Sequence, residues 1–160
     1  MAKKQIRTLV FVGLFAGAVI LLSKRTLDKI GFGSPSMRVQ KVTLSQIEIR
    51  VTLPITNQSD IPAPVSAFLG DLMYNGSSLG TLTLVQPVTL PGFGQTSLEF
   101  RLVSGLFGTA YEIVNILTNG NPLNFKSINY ANVNWSKFTI KGTLKVGEFP
   151  VDINTKLVGS

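Results

Sequence analysis

The chain has 160 residues and contains no cysteine and no histidine. This excludes disulfides, thiolate nucleophiles, histidine general bases and the usual zinc sites. Its net charge is +7, but residues 1–29 carry six basic and one acidic side chain, whereas residues 30–160 carry nine and seven. The basic character therefore belongs mainly to the N-terminal segment, and we expect no nucleic-acid binding by the rest of the chain.

An uncharged run of sixteen residues, 8–23, lies between two basic flanks. A helix of this length spans roughly 24 Å, and flanking basic side chains can extend it toward the roughly 30 Å of a hydrocarbon core. We predict an uncleaved, single-pass transmembrane helix within residues 1–30, with the N-terminus in the cytoplasm or in a virion interior. A signal peptide cleaved at Ala16-Gly17-Ala18 and an interfacial or core helix are the alternatives.

The predicted anchor supplies three sets of residues. The apolar contacts with the bilayer are Leu9, Val10, Phe11, Val12, Leu14, Phe15, Val19, Ile20, Leu21 and Leu22. The interfacial charges are Lys3, Lys4, Arg7, Lys24 and Arg25. Gly13 and Gly17 have the G-x-x-x-G spacing through which such a helix could form a homo-oligomer.

After the anchor, residues 31–36 (GFGSPS) predict a linker, because glycine, serine and proline break regular structure. The hydrophobic period is then two. One face of residues 46–55 carries Ile47, Ile49, Val51, Leu53 and Ile55, which is typical of a half-buried strand. A second strand is predicted where Leu98, Phe100 and Leu102 alternate with charged residues.

Local signals predict one hairpin and one helix. Asn75-Gly76 separates two apolar runs and suits a two-residue hairpin turn, although the apolar residues of those runs do not all fall on one face of a strand. Thr109 and Glu112 form a capping box ahead of an apolar stripe at helical spacing. Asn119-Gly120 ends this short helix.

The C-terminal part predicts up to three more strands: SINYANVNW, KFTIKGTLKVG and FPVDINTKL. Many short strands separated by turn signals predict a mainly β fold. We therefore expect residues 37–160 to form an antiparallel β-sandwich with one short helix, preceded by the transmembrane helix.

The run FTIKGTLKVGEFPVDINTKL resembles the closing strands of the late embryogenesis abundant type 2 domain, also called the WHy (water stress and hypersensitive response) domain. The run VTLSQIEIRVTLPITNQSDIPAPVSAFLGDLMYNGSSLG resembles its opening strands, so the resemblance covers about residues 37–157. It implies a sandwich related to the fibronectin type III and immunoglobulin folds, and it supplies no catalytic residue.

No pattern in the chain predicts an enzyme, a metal site or a cofactor. The acidic residues Asp60, Asp71, Glu148 and Asp152 have no local motif that would pair two of them for hydrolysis. Cross-strand pairing explains Glu48 with Arg50 and Glu99 with Arg101. Phe32 and Phe93 are candidate contacts with a partner or a membrane interface, although a loop phenylalanine more often packs back on its own domain. Trp135 is expected in the core.

These features predict a non-enzymatic module, tethered to a membrane, that acts structurally or in protein interactions. One alternative is a structural protein of a lipid-containing virion that links the internal membrane to the capsid. Another is a module that binds an apolar ligand or lipid between its sheets. The expected partners are the bilayer and envelope or capsid proteins.

Overall fold

The computed structural model describes residues 10–15, 18–22, 24–104 and 109–158, with side chains from residue 26 on, except that of residue 109. Within these residues the elements are, in chain order, β1 (Val10–Phe15), β2 (Ala18–Leu22), α1 (Lys24–Leu27), β3 (Ile30–Phe32), β4 (Ser36–Val42), β5 (Ile47–Asn57), β6 (Ala63–Tyr74), β7 (Ser77–Leu84), β8 (Val88–Leu90), β9 (Gln95–Ser104), α2 (Thr109–Leu117), β10 (Phe138–Val146) and β11 (Phe149–Lys156). Three 3-10 helices, Pro122–Ser127, Tyr130–Asn132 and Trp135–Lys137, lie between α2 and β10.

The N-terminal apolar run contains two strands, so the predicted transmembrane helix is wrong. β1 and β2 pair in antiparallel fashion, with Val10 opposite Leu22 and Phe15 opposite Ala18. Among the described helices, none has both the length and the apolar character needed to cross a membrane. The run is rich in valine, isoleucine and phenylalanine, which favour strands, and its two glycines disfavour a helix.

The strands from β3 to β11 form one curled half-barrel sheet, so the predicted β-sandwich of the fibronectin or immunoglobulin type is also wrong. The order of the nine strands is β11-β10-β6-β7-β9-β5-β3, with β4 paired to β5 and β8 paired to β6. The difference arises at β7, which pairs with β6 between Ser77 and Leu82 and with β9 at Thr83 and Leu84. One strand thus joins what would otherwise be two sheets.

The start of this sheet includes part of the segment predicted as a linker. Gly31 and Phe32 of β3 pair with Thr56 and Ile55 at the end of β5. β4 then begins at Ser36 and pairs with the first half of β5. Two short strands therefore cover the same side of one long strand.

The two strands with the clearest alternation in the sequence are confirmed as β5 and β9. Along all eleven residues of β5, buried positions alternate with half-buried ones. The inward residues Ile47, Ile49, Val51, Leu53, Ile55, Leu98, Phe100 and Leu102 have no exposed surface. Burial of apolar surface stabilises the folded state by about 25 cal/mol per Å², and it is the main favourable contribution to folding.

Buried and exposed residues do not alternate strictly along β6, and this irregularity has a structural cause. Its register against β10 shifts between Val65 and Ala67, so Val65 and Phe68 are both buried. Farther along, Gly70 lies directly opposite Gly142, and a Cβ on either glycine would come within 2.7 Å of the Phe68 ring. The glycine pair leaves the room in which this ring packs, 4.7 Å from the ring of Phe100. Inward glycines on adjacent strands are a recognised means of curving a sheet.

The hairpin and the helix are confirmed. Asn75 and Gly76 have φ angles of 48° and 81°, as a two-residue turn with positive φ requires. α2 buries Ala110, Ile113 and Val114. Its C-terminal end is closed by the Gly120 amide, which donates to the Asn115 carbonyl at 2.8 Å.

Two of the three C-terminal strands are confirmed as β10 and β11, but the strand predicted over SINYANVNW is wrong. That segment contains the 3-10 turn Tyr130–Asn132 and lies between the ends of two others, Pro122–Ser127 and Trp135–Lys137. The Asn129 side chain accepts a hydrogen bond from the Ala131 amide at 3.2 Å, which favours a turn over strand pairing. Trp135, buried as predicted, donates through Nε1 to the Tyr130 carbonyl at 3.0 Å and keeps the segment folded.

The turn segment of residues 122–137 fills the gap between the two edges of the curled sheet. At the edge formed by β4, the Val39 amide donates to the Tyr130 hydroxyl at 2.9 Å. At the other edge, the last of the three turns, Trp135–Lys137, contacts β11. The turns therefore complete the molecule on its open side and, together with α2, form a cleft.

Candidate functional site

The cleft has a volume of about 500 Å³ and lies between the C-terminal end of α2 and the turn segment. This volume falls in the range of roughly 300–1,000 Å³ that is typical of small-molecule sites. Its lining divides into an apolar floor and a polar rim.

Four parts of the chain contribute the floor. The apolar lining residues are Tyr74, Ile113, Ile116, Leu117, Val133 and Phe138. Tyr74 and Phe138 are opposite residues of β6 and β10, and their ring centroids are 4.9 Å apart. Ile116 is 62% exposed, so apolar surface remains open to a ligand.

The rim carries five asparagines together with Thr118, Ser127 and Lys137; the asparagines are Asn119, Asn124, Asn129, Asn132 and Asn134. Three of them use their side-chain oxygen to hold the local turns. Asn124 accepts from the Ser127 hydroxyl at 2.8 Å and Asn134 from the Ser136 hydroxyl at 2.6 Å. Asn129 caps its turn as described above.

This arrangement gives the rim an excess of hydrogen-bond donors. An asparagine side chain has one accepting oxygen and two N–H donors, and the three capping oxygens are already engaged. Lys137 is exposed, and of the lining residues that the structure describes it is the single charged one. The cleft is therefore suited to a molecule with an apolar body and a head that accepts hydrogen bonds.

The acidic residues considered from the sequence do not gather around this cleft. Asp71 accepts from the Ser78 hydroxyl at 2.9 Å, and Asp152 accepts from the Thr143 hydroxyl at 3.0 Å. Glu148 lies 3.7 Å from Lys145. In the described part of the chain, no three acidic side chains are placed to hold a metal ion.

A smaller groove of about 210 Å³ lies on the outer face of the sheet, beside Arg38, Arg50 and Glu99. One cross-strand ion pair is found here, between Arg50 of β5 and Glu99 of β9 at 3.4 Å, and Arg50 also lies 3.5 Å from Glu48 of its own strand. Arg101 is directly opposite Arg50. The groove is small and its central charge is paired within the protein, so the cleft is the stronger candidate.

The two candidate phenylalanines lie in different surroundings. Phe32 is half-buried in β3 and packs against the core. Phe93 lies in the loop between β8 and β9 and is 76% exposed. Its role as a contact stays a prediction.

The predicted anchor residues lie outside the described side chains. This applies to Leu9, Val10, Phe11, Val12, Leu14, Phe15, Val19, Ile20, Leu21 and Leu22, and to the charges Lys3, Lys4, Arg7, Lys24 and Arg25. Their contact with a bilayer stays untested.

Sequence reasoning did not find the cleft, although one signal for it was present. Seven asparagines lie between Asn115 and Asn134, a density typical of turns. What the sequence does not show is that these turns face α2 and the paired ends of β6 and β10.

Comparison with known structures supports the fold. A crystal structure of a protein from Archaeoglobus fulgidus is similar, with a TM-score of 0.51 and 21% sequence identity, and the match covers 79% of this chain and 92% of the archaeal chain. At this identity the likeness shows the fold alone. No curated protein sequence matches the chain significantly.

The resemblance noted in the sequence is confirmed by comparison with protein families. The late embryogenesis abundant protein family matches residues 52–156, from the middle of β5 to the end of β11. This match covers more than half of the chain and includes every element that forms the cleft. The chain therefore belongs to the late embryogenesis abundant type 2 family.

Proposed function

We propose that the protein is a non-enzymatic binding module whose cleft takes a small amphipathic ligand with an apolar chain and an oxygen-bearing, anionic head. The observation that carries this proposal is the combination of an apolar floor with a rim of amide donors and one lysine. A carboxylate is the simplest head of this kind, because it only accepts hydrogen bonds and attracts the Lys137 ammonium.

The composition of the lining favours binding over catalysis. Among the described residues that line the cleft, the titratable side chains are those of Tyr74 and Lys137, and none is a carboxylate that could act as general acid or base. Hydrolytic chemistry usually needs such a pair or an activated nucleophile. A cleft that holds a ligand without transforming it fits these residues better.

The other functions considered from the sequence remain hypotheses. A structural or interaction role at a membrane, in an envelope or in a virion, relied on the transmembrane helix. The third function predicted from the sequence is binding of an apolar ligand between two sheets. The proposed binding place is now the cleft. The inner side of the curled sheet is filled by packed side chains, whereas the cleft lies outside it, between α2 and the turns.

Isothermal titration calorimetry with three probes of equal chain length tests the proposal: octanoate, octanol and octyltrimethylammonium. We expect saturable binding of octanoate, binding of octanol about tenfold or more weaker because a charge-assisted hydrogen bond is lost, and no binding of the ammonium. Equal affinity for the three heads, or no saturable octanoate binding, would overturn the proposal.

Two variants locate the site. Lys137→Met should weaken octanoate binding about tenfold, since it removes the one charge that the described lining residues contribute to the rim. Lys141→Met is the matched control, because Lys141 is exposed in β10 and does not line the cleft. If both substitutions weaken octanoate binding equally, the ligand is not held in the cleft.

A further inference from the structure

Phe93 has an unusual backbone conformation for its residue type. Three non-glycine residues have positive φ in the described part of the chain: Asn75, Asn119 and Phe93, the last at 49°. Asparagine adopts this region readily, but a bulky aromatic residue there is an outlier that costs conformational energy. Such outliers persist only where the surroundings enforce them, and they concentrate at functional sites.

The surroundings of Phe93 do enforce this conformation. Its amide donates to the Ser59 carbonyl at 2.7 Å, and the Gly94 carbonyl accepts from the Asn57 amide at 2.8 Å. Asn57 and Ser59 are themselves buried. Between these anchors, a Cβ on Gly92 would lie 2.3 Å from the Asp60 carbonyl oxygen, so the loop is pressed against the turn that follows β5.

The result is a rigid loop that presents an aromatic ring to the exterior. The Phe93 side chain is 76% exposed, although burial of a phenylalanine is normally favourable. Both the backbone conformation and the exposure oppose folding stability. A ligand or surface that receives the ring would account for both.

The charge pattern around this loop favours a lipid surface. Residues 72–98 contain no charged side chain, so the loop brings no charge into an apolar phase. The Gln58 amide donates to the Lys29 carbonyl at 3.0 Å, which places the end of the basic N-terminal segment beside this loop. Aromatic residues next to basic ones are typical of membrane interfaces, although Asp28 and Asp60 offset part of the positive charge here.

We propose that the loop of residues 91–94 docks the protein on a lipid bilayer, with the Phe93 ring inserted at the level of the headgroups. This mode needs no membrane-spanning segment. It is also independent of the cleft, which is lined by other elements.

Vesicle binding by the full chain tests this inference. With vesicles of phosphatidylcholine and phosphatidylglycerol in a 3:1 ratio, Phe93→Ser should lower the partition coefficient about tenfold. Leu69→Ser is the matched control, because Leu69 is 77% exposed in the middle of β6, and it should leave the partition coefficient unchanged. Pure phosphatidylcholine vesicles carry no net charge. Binding to them therefore reports insertion of the ring without electrostatic attraction of the basic residues.

Because apolar residues 8–23 could also hold the chain on vesicles, a second readout reports on the loop itself. The chain has no cysteine, so Phe93→Cys and Leu69→Cys each provide one site for a fluorescent label. Lipids brominated in the first part of their acyl chains, next to the headgroups, should quench the label at position 93 and not the label at position 69. Absence of vesicle binding, or an unquenched label at position 93 on bound protein, would overturn the inference and direct attention to a protein partner.

Discussion

Asn57 holds together the turn on which the Phe93 loop rests. Its side-chain oxygen accepts from the amide of Ser59 at 2.9 Å and from its hydroxyl at 2.7 Å, and its side-chain nitrogen donates to the Ile61 carbonyl at 2.8 Å. Because Asn57 is 2% exposed, Asn57→Ala would leave the Ser59 amide without its side-chain acceptor, and the Ile61 carbonyl would keep only the Ser59 hydroxyl at 3.2 Å. We expect the free energy of unfolding to fall by about 2–4 kcal/mol, measured by urea denaturation.

Asn154→Ala is the control for this substitution. Asn154 is exposed in β11, so its replacement should change the free energy of unfolding by less than about 0.5 kcal/mol. If the two alanine variants are equally stable, the hydrogen bonds of Asn57 contribute little to the protein.

At the level of the strands, the glycine pair between β6 and β10 permits the curvature of the sheet. A Cβ on Gly142 would lie 2.5 Å from the Gly70 Cα and 2.5 Å from the Leu69 carbonyl oxygen. Backbone atoms cannot give way as a flexible side chain can, so Gly142→Ala should lower the free energy of unfolding by about 1–3 kcal/mol. Urea denaturation measures this loss.

Lys141→Ala provides the comparison, because Lys141 is the preceding residue of β10 and is exposed. We expect the free energy of unfolding of Lys141→Ala to be close to that of the wild type. A Gly142→Ala variant as stable as Lys141→Ala would show that the sheet relaxes around the added methyl group and does not need the glycine pair.

The elements that could be predicted from the sequence are those that local chemistry determines. Alternation defines β5 and β9, positive φ at Asn75-Gly76 defines the hairpin, and the apolar stripe defines α2. The strand predicted over SINYANVNW failed because asparagine side chains form turns with their own backbone. The N-terminal run failed as a helix because its residues also favour strands.

At the scale of the whole molecule, the features that were not predictable depend on contacts distant in sequence. The step of β7 from β6 to β9 decides between a sandwich and a curled sheet, and its second pairing joins residues sixteen or more positions apart, for which the sequence shows no local signal. The cleft likewise requires Tyr74 to meet Phe138, residues more than sixty positions apart. Its asparagines were visible in the sequence, but their common location was not.

Closure of the curled sheet by the turn segment gives the last prediction. Tyr130→Phe removes the hydroxyl that accepts from the Val39 amide and leaves a part-buried donor of the edge strand β4 without its partner. We expect the free energy of unfolding to fall by about 1–2 kcal/mol. Hydrogen exchange of the Val39 amide should accelerate more than that of amides within β5, because the edge would open locally.

Tyr111→Phe is the matched control, since Tyr111 is half-buried on α2 and packs against the core. It should leave exchange of the Val39 amide unchanged. Fluorescence of Trp135, the only tryptophan, reports on the turn segment because its ring stacks on Tyr130 at 6.1 Å. If the Val39 amide keeps its protection in Tyr130→Phe, packing of the rings alone closes the sheet, and the hydroxyl is not needed to hold the turns against β4.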